Sequence, residues 1–285
     1  MDFDKVGFGK ALQSIRNELG LTLEEASFLA GVSEKTVYRI EYGINKVTER
    51  TLDRLSIAYK MDLTPIYNQF LKTPKNTLKS LVNVAEKSLF DNDFENIEKC
   101  INELTKIPLK ELSLYDEAFV KYYMNLLLAT YVDLKDNNRA EALNILKKSL
   151  KNGIYNFDFK KYKNFNYSSI EKRILMNICS LSYDFYGNNN LFVDILSHLA
   201  SMSNKDNTLF PKIILNLASA YFMENDCKKT LCLVDEGISY CINNKCFEVL
   251  PMLFFRKFAA EVILDAENHI DTFKQAILAA EVNDR

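Results

Sequence analysis

From residue 75 onward, apolar side chains recur at three- and four-residue intervals, and three stretches look alike: KYYMNLLLATY (121–131), RILMNICSLSY (173–183) and PKIILNLASAYF (211–222). Each sets an Asn (Asn125, Asn177, Asn216) five or six residues ahead of a Tyr. A fourth, PMLFFRKFAAEV (251–262), aligns with the third at an offset of 40 residues, which puts Pro251 under Pro211 and Arg256 under Asn216. A second amphipathic helix follows such a segment, as in AEALNILKKSL and CKKTLCLVDEGI, and FDNDFENIEKCINEL (90–104) is the comparable second helix of the first unit. A two-helix unit cannot bury its apolar face alone; stacked on its neighbours it builds a right-handed helical array. Ala218, Ala220, Ala259 and Ala260 fall where such helices must approach closely.

The apolar period is helical elsewhere too, and no alternating run is bounded by hairpin signals. With 8 Gly and 5 Pro in 285 residues, the chain lacks the punctuation of an all-β fold. The class expected is all-α: an N-terminal helix-turn-helix domain followed by a degenerate tetratricopeptide-like right-handed helical repeat array. The division expected is 1-62 for the head, 63-74 for a linker helix and 75-285 for the repeats.

Within the head, helix one sets Ala11, Leu12, Ile15 and Leu19 on one face. Thr22 and Glu25 form a Thr-x-x-Glu capping box for helix two, whose apolar face is Leu23, Ala26 and Leu29 or Ala30. Gly31 and Val32 make a tight corner, Ser33 caps helix three, and helix four turns Leu52, Leu55 and Ala58 inward. Thr64 as N-cap and Pro65 at the first helical position open a fifth helix, a linker or dimer element, running through Ile66, Tyr67, Phe70 and Leu71.

The string GLTLEEASFLAGVSEKTVYRIEYG (20–43) resembles the helix-turn-helix of lambda-repressor-like, XRE-type DNA-binding domains. Val37 and Ile40 anchor helix three, which leaves Glu34, Lys35, Thr36, Tyr38 and Arg39 on a polar, partly cationic face able to enter a major groove. Lys35 and Arg39, four apart, share that face. The resemblance implies base contacts for Glu34, Lys35 and Arg39 and backbone contacts for Ser33 and Thr36. Asn45, Lys46 and Arg50 are placed to hold the phosphate chain after helix three. Against this stands the plainer reading that exposed charges are simply solvated. Arg16 and Glu41 resemble the family's buried ion pair between helices one and three. One departure is Leu23, where the family usually has a Gln that grips phosphate; Leu cannot do so.

Residues 1–71 hold nine basic and ten acidic side chains, and the whole chain has a formal charge of −2. Long-range attraction to DNA is therefore weak for one copy, and two copies on a two-fold operator, an inverted repeat in double-stranded DNA, are expected: a homodimer.

An XRE-type head followed by about five degenerate repeats resembles the RNPP peptide-pheromone receptors of Gram-positive bacteria (the Rgg, NprR, PlcR and PrgX group). That resemblance implies a cytoplasmic, quorum-sensing transcription regulator that binds a short signalling peptide on the concave face of its repeats. An Asn there can offer a donor and an acceptor to an extended peptide backbone. Asn177 and Asn216 occupy the position of the Asn clamp of tetratricopeptide peptide binders, and Asn125 is similar. Arg256, in the next unit, can pair with an acidic side chain or a C-terminal carboxylate, and Tyr122, Lys212 and Phe222 are neighbouring inner-face candidates. The plainer alternative has these Asn residues bonding adjacent repeat backbone. Two other functions stay open: a regulator whose repeats bind a protein partner or only dimerise, and an adaptor that binds no DNA.

The remaining residues point away from catalysis and metals. Only His198 and His269 exist, and no G-x-x-x-x-G-K-[ST], G-x-G-x-x-G or H-E-x-x-H occurs, so neither an enzyme nor a cofactor is expected. Cys227/Cys232 and Cys241/Cys246 are each five apart, on different helix faces, with no C-x-x-C, so no metal site is expected. The six cysteines are expected to be reduced thiols. The start, MDFDKVGFGKALQSIRNELG, lacks the pattern of a secretory signal, and no stretch reaches the roughly 18 uncharged apolar residues of a membrane span. No membrane partner is expected.

Overall fold

The computed structural model describes residues 3–186 and 190–283. Among these there are fifteen α-helices and no strand, only an isolated bridge between Phe3 and Leu71. The chain divides into two compact units, Met1–Glu117 and Ala118–Arg285.

The first unit holds α1 (Lys5–Glu18), α2 (Leu23–Ala30), α3 (Glu34–Glu41), α4 (Glu49–Ala58), α5 (Thr64–Gln69), α6 (Pro74–Phe90) and α7 (Phe94–Thr105). Phe8, Leu12, Ala26, Val37, Ile40 and Leu55 form the centre of the head's core. The local signals operate as their chemistry requires. Thr22 and Glu25 close the capping box on α2, and Gly31 ends it at φ 59°, in the left-handed region that favours glycine. At the end of α2, Ala30 is buried whereas Leu29 is exposed. Leu19, expected inward, is also exposed: it follows the last residue of α1, where the helical face no longer continues.

The fifth helix is packed on the head and is not a free linker. Ile66, Tyr67, Phe70 and Leu71 lie against the head's core. The Phe3 and Tyr67 rings stack at 4.6 Å, and the Asp4 N–H donates to the Phe70 carbonyl at 2.9 Å. Leu63 is the N-cap residue of α5, while Thr64 donates its N–H to Asp62 Oδ1 at 2.8 Å. Beyond it, α6 and α7 pair, and α7 buries Ile97, Cys100 and Leu104.

The second unit contains α8 (Leu114–Asp136), whose first turn straddles the division, α9 (Arg139–Gly153), α10 (Ser169–Tyr186), α11 (Asn190–Ser203), α12 (Phe210–Met223), α13 (Cys227–Asn244), α14 (Leu250–Ile263) and α15 (His269–Asn283). From α9 onward each helix packs on the next, and α12 also touches α10 and α14. That alternation is what stacked two-helix repeats produce, with first helices side by side. Tyr183, the tyrosine of the second repeat segment, has its side chain outside the described residues.

A two-residue signal makes the turn within several helix pairs. Asn92, Asn137 and Asn225 have φ of 53°, 48° and 61°, a region Asn tolerates better than most side chains. The next residue in each case, Asp93, Asn138 or Asp226, caps the following helix by accepting a backbone N–H. The aromatic stretch between α9 and α10 buries Phe157, Tyr162 and Tyr167, with the Phe157 ring against Phe159, Phe165 and Tyr167. Among the described residues no helix is long and apolar enough to cross a membrane.

Candidate nucleic-acid interface and repeat groove

The geometry of α3 comes from its period. Val37, Ile40 and Glu41 are buried on one side. Glu34, Lys35, Tyr38, Arg39 and Tyr42 are exposed and, at 100° per residue, fall within about 140° of arc on the other. Ser33 starts the helix, its hydroxyl accepting from the Thr36 N–H at 3.1 Å and bonded to Thr36 Oγ1 at 2.7 Å. Tyr42 was not singled out in the sequence, yet its ring stacks on that of Tyr38 at 4.3 Å, and the i, i+4 spacing was the available signal. Asn45, Lys46 and Arg50 are exposed beyond the helix, and Lys46 Nζ lies 5.4 Å from the Phe3 ring centroid.

Two features fix α3 against α1. Arg16 and Glu41 form a bidentate pair, Nε to Oε1 at 2.7 Å and Nη2 to Oε2 at 2.9 Å, while Arg16 Nη1 donates to the Leu21 carbonyl at 2.7 Å. The hydrogen bonds to Glu41 raise the Arg16 pKa above its ordinary value despite burial. Gly9 permits the close approach: a Cβ there would stand 2.3 Å from the Glu41 carbonyl oxygen and 2.5 Å from that of Ile40. Leu23, where a phosphate-gripping Gln is usual, is partly buried against the head's core.

In the second unit the residues singled out from the repeats separate into two groups. Asn125 donates both amide hydrogens within the protein, to the Lys121 carbonyl at 3.0 Å and to Ser149 Oγ at 3.1 Å on α9. Tyr122 donates to Glu171 Oε1 at 2.6 Å. These are bonds that hold helices together. Asn177 is half-buried on α10. Lys212 is paired with Glu248 at 2.9 Å. Asn216, Phe222 and Arg256 come together: Asn216 and Arg256 both line a groove of 480 Å³ between α12, α14 and α15, and the Arg256 guanidinium lies 4.7 Å from the Phe222 ring centroid. Asn216 donates one amide hydrogen to the Lys212 carbonyl at 2.9 Å. The α15 wall of this groove, including Phe273 and Ile277, had no counterpart in the residues picked from sequence. Only the amphipathic period of the last helix could have suggested it.

Residues 12–66 match the family described as Helix-turn-helix (HTH_3). No curated protein matches the chain in sequence. Solved structures do resemble it in fold. PlcR of Bacillus thuringiensis, in complex with the peptide PapR7 and DNA, is 16% identical with a TM-score of 0.56, over 99% of this chain and 96% of that one. The apo form of PlcR is 15% identical with a TM-score of 0.54, over 98% and 94%. ComR of S. thermophilus, in complex with DNA and its signalling peptide, is 12% identical with a TM-score of 0.54, over 97% and 94%. The chain thus carries a helix-turn-helix head and, along nearly its whole length, the fold of PlcR and ComR.

Proposed function

We propose that this protein is a sequence-specific, DNA-binding transcription regulator whose activity is controlled by a short signalling peptide held in the groove of its repeats. The observation that carries the DNA half is the exposed face of α3, where Lys35 and Arg39 lie beside the stacked Tyr38 and Tyr42 while the opposite side is locked to α1 through Arg16 and Glu41. In this reading Lys35, Arg39 and Glu34 meet base edges. Ser33, Thr36, Asn45, Lys46 and Arg50 hold phosphates, and Tyr38 packs beside them. With Leu23 turned to the core, the phosphate contact usual there is missing and the affinity has to come from other contacts. Two copies on an inverted repeat supply the affinity that a near-neutral head lacks.

The peptide half rests on the groove where Asn216 and Arg256 meet, and on the fold shared with two proteins solved with peptides, one of them a signalling peptide. Asn177, farther along the inner helices, is the second clamp. Asn125 and Tyr122, whose donors are already bonded within the protein, are read as structural. Exposed Ile270, Leu278 and Val282 on α15 offer apolar surface for a second copy. The peptide must favour one arrangement of the dimer, since equal binding to both shifts nothing.

The test is selection of DNA from a random pool by the purified protein. Recovery of one inverted repeat, lost with Arg39→Ala, supports the reading. Salt-independent capture or no enrichment refutes it and favours the adaptor.

A further inference from the structure

Arg256 is the cation in the second unit whose surroundings are least accounted for. Its Nε is buried and has no hydrogen-bond partner among the described residues. Its guanidinium lies over the Phe222 ring, a contact that satisfies none of its N–H groups. Burial lowers its pKa from the ordinary value, as happens to a cation stripped of water without a carboxylate in exchange. The neighbouring lysines differ: Lys212 has Glu248 and Lys257 has Asp235.

Around Arg256 the groove is mostly apolar, with Met252, Phe255, Phe273 and Ile277 on its walls. Its other polar side chains are Asn216 and Ser219. Both spend a hydrogen on their own helix, Asn216 to the Lys212 carbonyl and Ser219 to the Leu215 carbonyl. There remain one unmatched cation, an amide oxygen, one amide N–H and a hydroxyl oxygen. We propose that this end of the groove receives the free C-terminus of an apolar peptide, its α-carboxylate on the Arg256 guanidinium and its last side chain among Met252, Phe255, Phe273 and Ile277. This rests on the proposed peptide function and names the end of the ligand that the groove takes.

The chain end is preferred to an internal Asp or Glu by counting polar groups. An internal acidic residue would carry peptide groups on both sides into an apolar trough that has only Asn216 and Ser219 to satisfy them. A C-terminal residue brings one flanking peptide group, a carboxylate and an apolar side chain on the same carbon. That set matches the groove's lining.

The experiment uses the full-length protein and a pool of synthetic heptapeptides ending in Leu, Ile or Phe, each made as the free acid and as the C-terminal amide. Captured peptides are identified by mass spectrometry and titrated singly by calorimetry. The expected result is capture of free acids, with each amide bound about 30-fold more weakly, the loss expected for a charge-assisted pair. Arg256→Gln should weaken the acids to the level of the amides and leave the amides unchanged. The comparison of acid with amide on the unaltered protein needs no variant, so a misfolded Arg256→Gln would not rescue the proposal. Peptides that bind equally as acid and amide overturn the anchor while leaving the groove as a peptide site. A requirement for an internal Asp or Glu, with amidation tolerated, overturns the chain-end assignment. Failure to capture any peptide overturns the peptide reading and the anchor with it.

Discussion

Replacing Arg16 by Met tests how the head holds its reading helix. The Arg16 side chain is 9% exposed and that of Glu41 0%. The change removes two charge-assisted bonds from a carboxylate that has no access to water and one donor from the Leu21 carbonyl. Breaking one side of such a pair costs about 3–5 kcal/mol, because the remaining charge is stranded. A small domain has only about 5–15 kcal/mol in all, so the contact between α1 and α3 should open readily. Hydrogen exchange read by mass spectrometry on peptides covering α1 and α3 should then run at least about 100-fold faster at pH 7, at 1.4 kcal/mol per tenfold.

Arg16→Met with Glu41→Leu removes both charges and should recover most of the protection, since an apolar pair of similar volume replaces the ion pair at little net cost. Exchange within tenfold of normal, or a double variant as open as the single one, would show that Val37 and Ile40 hold α3 unaided.

The other predictions concern the same head. Gly9→Ala places a Cβ 2.3 Å from the Glu41 carbonyl oxygen, a backbone atom that cannot swing away; the expected cost is about 1–3 kcal/mol, read as a lowered thermal midpoint of the first transition. Ser33→Ala removes the acceptor for the Thr36 N–H and should cost about 1 kcal/mol, seen as faster exchange in the first turn of α3 alone. Arg39→Ala should weaken binding to the selected duplex by about 10- to 100-fold and relax its sequence preference, measured by fluorescence anisotropy at fixed salt. Lys46→Ala should weaken all duplexes alike and reduce the salt slope by about 1.

Sequence reached the head through local rules and stopped where distance began. The capping box at Thr22, the cap at Ser33 and the outward face of α3 depend on spacings of three and four residues, which a helix converts directly into geometry. For α5 the same spacing announced an apolar face but could not say that Phe3 and Phe8, some sixty residues earlier, would cover it. Hence a segment that looks like a linker is part of the head. Leu19 failed for the opposite reason: the rule was carried one residue past the end of the helix that enforces it.

The repeats make the limit sharper, because the same position holds groups of similar chemistry with different fates. Repeat spacing puts Asn125, Asn216 and Arg256 in equivalent places, but their value as ligand contacts depends on the groups that the neighbouring helix offers. Asn125 of α8 gives both amide hydrogens away, one to the Lys121 carbonyl and one to Ser149 of α9. On α12, Asn216 spends one hydrogen on its own helix, and on α14 the buried Arg256 Nε spends none among the described residues. A buried donor with no partner costs free energy until it is bonded, and of these three residues only Arg256 holds one among the described residues. Under the proposed peptide function, that difference puts the gain from a ligand at Arg256 on α14 and not at Asn125 on α8.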